Sequence, residues 1–367
     1  MNEPCYTSDV KLTLMLKLQP TPEQHSALLE TMERFNAACN AIAEVAFAER
    51  TANKIRLQRV VYRDIRERFG LSSQMTVRAI SKTCEAYKRD KSVRPVFKPH
   101  GAIVYDQRIL TWKGLDRVSI LLLGGREMIP VVFGEYQAAR LNRIRGQADL
   151  IYRDGIFYLA VVVEVPEPPP FKADDFLGVD LGIVNVAVDS DGSTYSGGQI
   201  NGLRRRYAHL RSRLHSKGTK SAKRLMRKRR RKESLFARNV NHVISKELVA
   251  KAKDTERGIA LENLQGIRER ITVRKAQRRV QHSWAFSQLR CFIEYKARLA
   301  GVPVVMVDPR NTSRKCPICG HIDKVNRPTR DLFQCVSCGF AGPADTIAAE
   351  NIRRVAVNQP NVAGLLA

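Results

Sequence analysis

The sequence has no apolar run approaching the roughly 18–20 residues that cross a bilayer, which argues against a membrane-spanning protein. Its start, Met1 to Asp9, has neither the basic region nor the apolar segment of a secretory leader, so export is not expected. Acids are scarce beside bases: 36 Asp and Glu face 63 Lys and Arg, a formal net charge of +27. Such an excess repels itself and calls for a polyanionic partner. Nucleic acid is the first candidate and an anionic membrane surface the second. The expected place of work is the cytoplasm, at the nucleoid, where thiols stay reduced. No internal repeat is evident beyond one doubled cysteine motif.

With 367 residues, 44% of them apolar, the chain can bury sizeable cores in two or three units. Residues 11–19 alternate as a strand. Thr21-Pro22 looks like a helix start, and the pattern stays helical to about Tyr87, interrupted at Gly70. Residues 91–170 carry short strand-like runs with turn signals at Gly124-Gly125 and Asp154-Gly155. The first strand is expected to join them, with the helices inserted between. The segment VPEPPP, 165–170, reads as a stiff linker. Beyond it, strands and helices alternate to the end, which predicts an α/β domain. Asp191-Gly192 reads as a hairpin turn, and 203–255 as a long helical stretch broken near Gly218.

Of eight cysteines, Cys5, Cys39, Cys84 and Cys291 are scattered and read as core or incidental thiols. The others form two knuckles, Cys316-Pro317-Ile318-Cys319-Gly320 and Cys335-Val336-Ser337-Cys338-Gly339, with 15 residues between the pairs. Two residues between cysteines let both sulfurs face one ion, and the glycines permit the tight turn. A reducing compartment argues against disulfides, and no thioredoxin-like unit surrounds a redox pair. The pattern predicts one structural Zn2+ with all four positions filled by Cys316, Cys319, Cys335 and Cys338.

Asp180 and Glu262 each sit within a short apolar strand, where an unpaired carboxylate is costly. Either alone reads as a strand end or a salt-bridge partner, and Asp345, opening the last helix, as a helix cap. Together the three acids suit hard cations and could hold two Mg2+ ions roughly 3.5–4 Å apart. From Arg204 to Lys232, 15 of 29 residues are Lys or Arg and none is acidic. So dense a run points to phosphate contact by Arg204, Arg205, Arg206, Arg211, Arg213, Lys220, Lys223, Arg224, Arg227, Lys228, Arg229, Arg230, Arg231 and Lys232, rather than to a merely solvated face or a localisation tag. Tyr207, His209 and His215 are interleaved and read as ordinary interfacial residues before base-stacking ones. Arg268 to Arg279 is a second basic patch.

GVDLG around Asp180, ALENL around Glu262, TSRKCPICG at 312–320, CVSCG at 335–339 and DTIAAENI at 345–352 follow in order. In this the sequence resembles the TnpB family, transposon-encoded relatives of type V CRISPR nucleases. The resemblance is strong over 174–357, includes Ser283-Trp284-Ala285-Phe286 and Tyr295-Lys296-Ala297, and extends to the earlier residues by layout alone. It implies an RNase H-like (RuvC-like) α/β nuclease domain over 171–367, with the four-cysteine zinc ribbon inserted at 309–342. It implies a β-barrel wedge module split between 1–19 and 91–170, with a helical recognition lobe at 20–90. Asp180, Glu262 and Asp345 take the catalytic, Mg2+-binding positions. The partners implied are a guide RNA copied from the transposon end and guide-matched double-stranded DNA, cut beside a short flanking motif. One copy per RNA is expected, with no membrane partner. Two positions depart from the family: Pro343 stands where an Asp is usual and Ile347 where an Asn is usual, which puts contacts around Asp345 in question. With all three acids in place, an active nuclease is expected ahead of a silent DNA-binding repressor or a guide-free transposase or resolvase.

Overall fold

The computed structural model describes residues 10–264 and 286–358. Arg268 to Arg279 and Ser283 to Ala285 therefore lie outside the described residues, as does Cys5. The chain forms two compact units, one ending at Val165 and the other beginning at Pro166.

The first unit opens with β1, Val10–Leu18, followed by three helices: α1, Pro22–Ala48; α2, Lys54–Phe69; and α3, Ser73–Arg89. The sequence sets each helix start. Thr21 Oγ1 accepts from Gln24 N while Gln24 Oε1 accepts from Thr21 N, a reciprocal cap with Pro22 in the first turn. Asn53 and Ser72 cap α2 and α3, and Gly70, at φ +62°, ends α2 in the left-handed conformation that glycine tolerates. Leu57, Val61 and Ile65 recur at four-residue spacing and bury one face of α2 in a core shared with α1 and α3.

Six more strands follow: β2, Ile103–Tyr105; β3, Leu110–Lys113; β4, Arg117–Leu122; β5, Gly125–Val132; and, after the single-turn helix α4, Glu135–Ala138, β6, Ile144–Arg153, and β7, Ile156–Val165. They pair in the order β2-β6-β7-β1-β5-β4-β3, antiparallel throughout. Asp154 and Gly155 both have positive φ, as a two-residue hairpin between right-twisted strands demands. The family resemblance implies a barrel. Among the described residues no ladder joins the two ends of the sheet, although it curls far enough for Tyr105 Oη in β2 to donate to Leu121 O in β4 at 3.2 Å.

The second unit is built on a five-stranded sheet in the order β10-β9-β8-β11-β12. These are β8, Phe176–Asp180; β9, Asn185–Asp189; β10, Thr194–Ser196; β11, Gly258–Glu262; and β12, Val304–Val307. The first three form an antiparallel meander with Gly192 (φ +88°) in its second turn; β11 and β12 then add in parallel. Between β10 and β11 run α5, Gly198–Lys217, and α6, Lys220–Asp254. Gly218 separates them at φ +63°, and Thr219 caps α6. Helix α7, Phe286–Ala300, precedes β12. The ribbon follows, with β13, Leu332–Gln334, paired to β14, Ala341–Pro343, and the described chain ends in α8, Ala344–Val357.

Strand alternation sorts the side chains. Leu177 and Val179 of β8 and Ile259 and Leu261 of β11 face α6 and α7, packing with Ile244, Leu248, Leu289 and Ile293. Ala260, with Val305 and Val307, faces α8 through Ile352 and Ala356. By the same alternation Asp180 and Glu262 belong to the α8 face, at the strand ends. Gly178 sets how close α8 comes: a Cβ there would sit 2.1 Å from Ala349 O and 2.6 Å from Arg353 N.

Candidate active site and zinc-binding ribbon

The two cysteine knuckles occupy successive hairpin-like turns. The bridge between Lys315 and Ile322 closes the first, and β13–β14 flank the second. Gly320 and Gly339 adopt φ of +75° and +73°, the left-handed turn expected after each knuckle. Cys316 Sγ lies 3.6 Å from Cys338 Sγ, and Cys319 Sγ lies 3.5 Å from Cys335 Sγ. Disulfides would need about 2.05 Å. Four sulfurs at roughly 2.3 Å from a tetrahedral zinc are about 3.8 Å apart. The four ligand atoms all lie within 4.8 Å of one another, so the set can hold one Zn2+. Of the other thiols, Cys39 and Cys84 are buried and Cys291 is exposed.

Asn326 ties the ribbon together. It is fully buried, donates to Arg314 O and His321 O, and accepts from Val336 N of the second knuckle. Ile347 of α8 packs into the ribbon core with Cys316, Phe333 and Cys335. Ile347 thus makes an apolar contact with the ribbon. Pro343 closes β14 and serves as the N-cap of α8 without a side-chain bond.

The structure brings the three acids to one end of the sheet. Asp345 lies in the first turn of α8 but is not its cap. Its carboxylate instead accepts from Asn185 Nδ2 and from the Arg327 guanidinium, both at 3.0 Å. Burial first, then the charges of Glu262 and Asp345, push the Asp180 carboxyl up to about 7, against the pull of Arg327 and of Leu181 N–H. Burial also raises Glu262, opposed by a hydrogen bond from Thr312 Oγ1. This is an all-oxygen donor set with an excess of negative charge, which suits a hard cation. Among the described residues only the four cysteines meet the 4.8 Å condition, so the carboxylates are more spread, and one ion touching all three would require them to close in.

Thr312 and Asn351 stand inside the motifs TSRKCPICG and DTIAAENI, but nothing in the sequence gives them or Arg327 a role. Arg327 follows directly on the ribbon's buried Asn326, a clue visible only once the ribbon is folded.

The basic run forms the α5–α6 hairpin. Its predicted contact residues are exposed except Arg204, Arg211 and Arg229, which are partly buried. Arg211 pairs with Glu233 at 2.5 Å, just beyond the acid-free stretch, and the Arg229 guanidinium lies over the Tyr207 ring at 5.9 Å. Burial lowers Arg204, with Glu233 opposing. His209 and His215 are exposed. Among the described residues no helix is long and apolar enough to cross a membrane.

The sequence profile of the Cas12f1-like TNB domain matches residues 286–352, from α7 through the ribbon into α8. The chain is 29% identical over 258 residues to the CRISPR-associated endodeoxyribonuclease Cas12f1 of Sulfoacidibacillus thermotolerans, covering 64% of this chain and 58% of that one. It is 37% identical over 131 residues to the TnpB-like protein MJ0751 of Methanocaldococcus jannaschii, covering 35% of this chain and 46% of that one. It spans roughly half the length of the curated relatives it matches. Among solved structures, the mini-RNA-guided endonuclease CRISPR-Cas_phi3 aligns over 97% of this chain and 94% of its own with a TM-score of 0.53 and 11% identity, a likeness of fold alone. Over the matched residues the chain is thus similar to a TnpB-like protein and to Cas12f1-like nucleases.

Proposed function

We propose that this protein is an RNA-guided DNA endonuclease that cuts guide-matched double-stranded DNA at the Asp180, Glu262 and Asp345 site, in a nuclease domain of the RNase H-like, RuvC-like type. The observation that carries the reading is the convergence of three acids from β8, β11 and α8 on one sheet face, with Asp180 and Glu262 both raised by burial and Asp180 raised further by the charges of the other two. The three acids would hold two Mg2+ ions, which when bound supply an activated water and neutralise charge on the leaving 3′ oxygen. The chain's own residues do the rest. Asp180 and Glu262 concentrate negative charge where burial keeps water from screening it. Asn185 and Arg327 orient the Asp345 carboxylate. Arg327 donates from Nε and Nη2 to Arg330 O as well, which fixes its guanidinium beside the acids. The α5–α6 hairpin offers exposed cations to the sugar-phosphate backbone, consistent with sequence being read by base pairing rather than by side chains.

In the same reading the strands of the first unit act as the wedge module, its helices α1–α3 as the recognition lobe, and the ribbon as an insertion within the nuclease domain. One copy works per guide RNA, on DNA at the nucleoid. The CRISPR-associated endodeoxyribonuclease name of the first relative and the TnpB-like name of the second support this reading.

The test is to co-express the protein with the RNA encoded beside its gene, purify the complex, sequence the RNA, and present matching DNA with Mg2+. A defined guide and cleavage of matched DNA are expected. A defined guide with binding but no cleavage would make the protein a repressor. Cleavage of branched DNA without bound RNA would make it a resolvase.

A further inference from the structure

The loop between β12 and the first knuckle reaches the acid site directly. Thr312 is 4% exposed, and its Oγ1 lies 2.5 Å from Glu262 Oε1 and 3.0 Å from Pro309 O. The hydroxyl has one proton for two acceptors, and the shorter, charge-assisted contact to the carboxylate is the stronger. The loop is held in turn from α8. Asn351, 3% exposed, donates from Nδ2 to Thr312 O at 2.8 Å and to Lys315 O at 2.7 Å. The two protons of one buried amide are thus spent on the backbone on either side of residues 313 and 314. Asn351 stands on the helix that carries Asp345, and Lys315 adjoins the zinc ligand Cys316. Neither Thr312 nor Asn351 belongs to the cysteine set.

We propose that Thr312 and Asn351 are positioning residues for cation binding at the acid site: Thr312 fixes one oxygen of Glu262 so that the other faces the cation, and Asn351 locks the Thr312 loop to the helix bearing Asp345. This rests on the reading of the three acids as a divalent-cation site. A glutamate has more rotatable bonds than an aspartate, so of the three acids Glu262 has most to gain from an anchor. Outer partners that orient a metal-binding carboxylate commonly matter about 10–100-fold in affinity. The arrangement also explains why a structural ribbon is built into this unit. Its entry loop carries the hydroxyl that holds Glu262, and Arg327, after its short 3-10 helix at Lys324–Asn326, meets Asp345.

The test uses the full-length, zinc-loaded protein, with Mn2+ as probe and free Mn2+ read by electron paramagnetic resonance. Zinc content and thermal midpoint are measured on every sample. Thr312→Val keeps the shape and removes the hydroxyl; Thr312→Ser restores it; Asn351→Leu removes the amide at similar volume; Asp180→Ala reports on the acid site itself. Thr312→Val and Asn351→Leu should each weaken Mn2+ binding about tenfold with one zinc per chain retained, while Thr312→Ser stays near wild type. If Thr312→Val binds Mn2+ like wild type while Asp180→Ala does not, the positioning role is overturned and the acid site stands. If Asp180→Ala also binds like wild type, the acids do not form a cation site and the proposal falls with that reading. Should Asn351→Leu lose zinc, Thr312→Val alone decides.

Discussion

The second unit contains two candidate metal-binding clusters, and they are built in opposite ways. The sulfur cluster is closed: four ligands from two adjacent turns converge within 4.8 Å, and glycines with positive φ follow each turn. The oxygen cluster is open: its acids come from three separate elements, do not all meet at that distance, and lean on neighbours for orientation. A closed soft site suits a resident ion that holds structure, while an open hard site suits ions that exchange and reach a substrate. In one unit, then, one metal set is written in local spacing and the other in packing.

The sharpest way to break this contrast is Asp180→Ala. Cleavage should fall roughly 10^4-fold or more, as for loss of a central catalytic group, while zinc content and guide binding stay unchanged. Normal cutting by that variant would remove Asp180 from the site. Cys316→Ser should do the reverse of Asp180→Ala in order of cause. Zinc is lost first, amide exchange over 312–343 quickens, and cleavage declines as a consequence, because metal binding supplies folding energy to such segments. Retention of one tightly bound zinc would contradict the closed set. Gly178→Ala probes the packing that assembles the open site. Its methyl would meet backbone atoms of α8, so a stability loss of about 1–3 kcal/mol is expected. A shift of α8 that moves Asp345 by an ångström would cut the rate by up to about 100-fold, whereas an unchanged rate and midpoint would mean that α8 yields freely.

The smallest effect is in pH. The Asp180 carboxyl is held above its ordinary value of 3.8, up to about 7, so the cation-free fold prefers it protonated. That stabilisation is present below the ordinary value and is lost as pH rises toward about 7. Mg2+ should therefore raise the thermal midpoint more at pH 8 than at pH 6, and Asp180→Asn should flatten the difference. An equal shift at both pH values in the unsubstituted protein would separate Asp180 from the cation.

What the sequence made legible follows the same division. Local signals translate directly: Thr21 and Pro22 start α1, Gly218 parts α5 from α6, Asp191-Gly192 turns between β9 and β10, and two CxxC knuckles converge. Asp180 and Glu262 could be singled out because a carboxylate in an apolar strand is conspicuous. Their partners could not. Thr312 and Asn351 are common residue types whose roles appear only when α8 lies on β8, an approach that Gly178 permits. The strand order of the first unit was hidden for a related reason: β1 pairs with β7 and β5, which are remote in sequence, and alternation shows which side chains face inward without naming the neighbour.

Helix α6 carries one more consequence. Its C-terminal half is anchored by Ile244, Leu248, Val249 and Ala252, while the half nearer its N-terminus is crowded with exposed cations and its first turn has no acid. The positive end of a helix is the unfavourable end for cations, so the bare hairpin opposes itself twice, through like charges and through the backbone dipole. Dissolved salt screens that internal repulsion, yet the same ions compete for the phosphates the hairpin would grip. Ionic strength therefore acts on α5–α6 with two signs, steadying the hairpin when it is alone and loosening its hold when it is loaded.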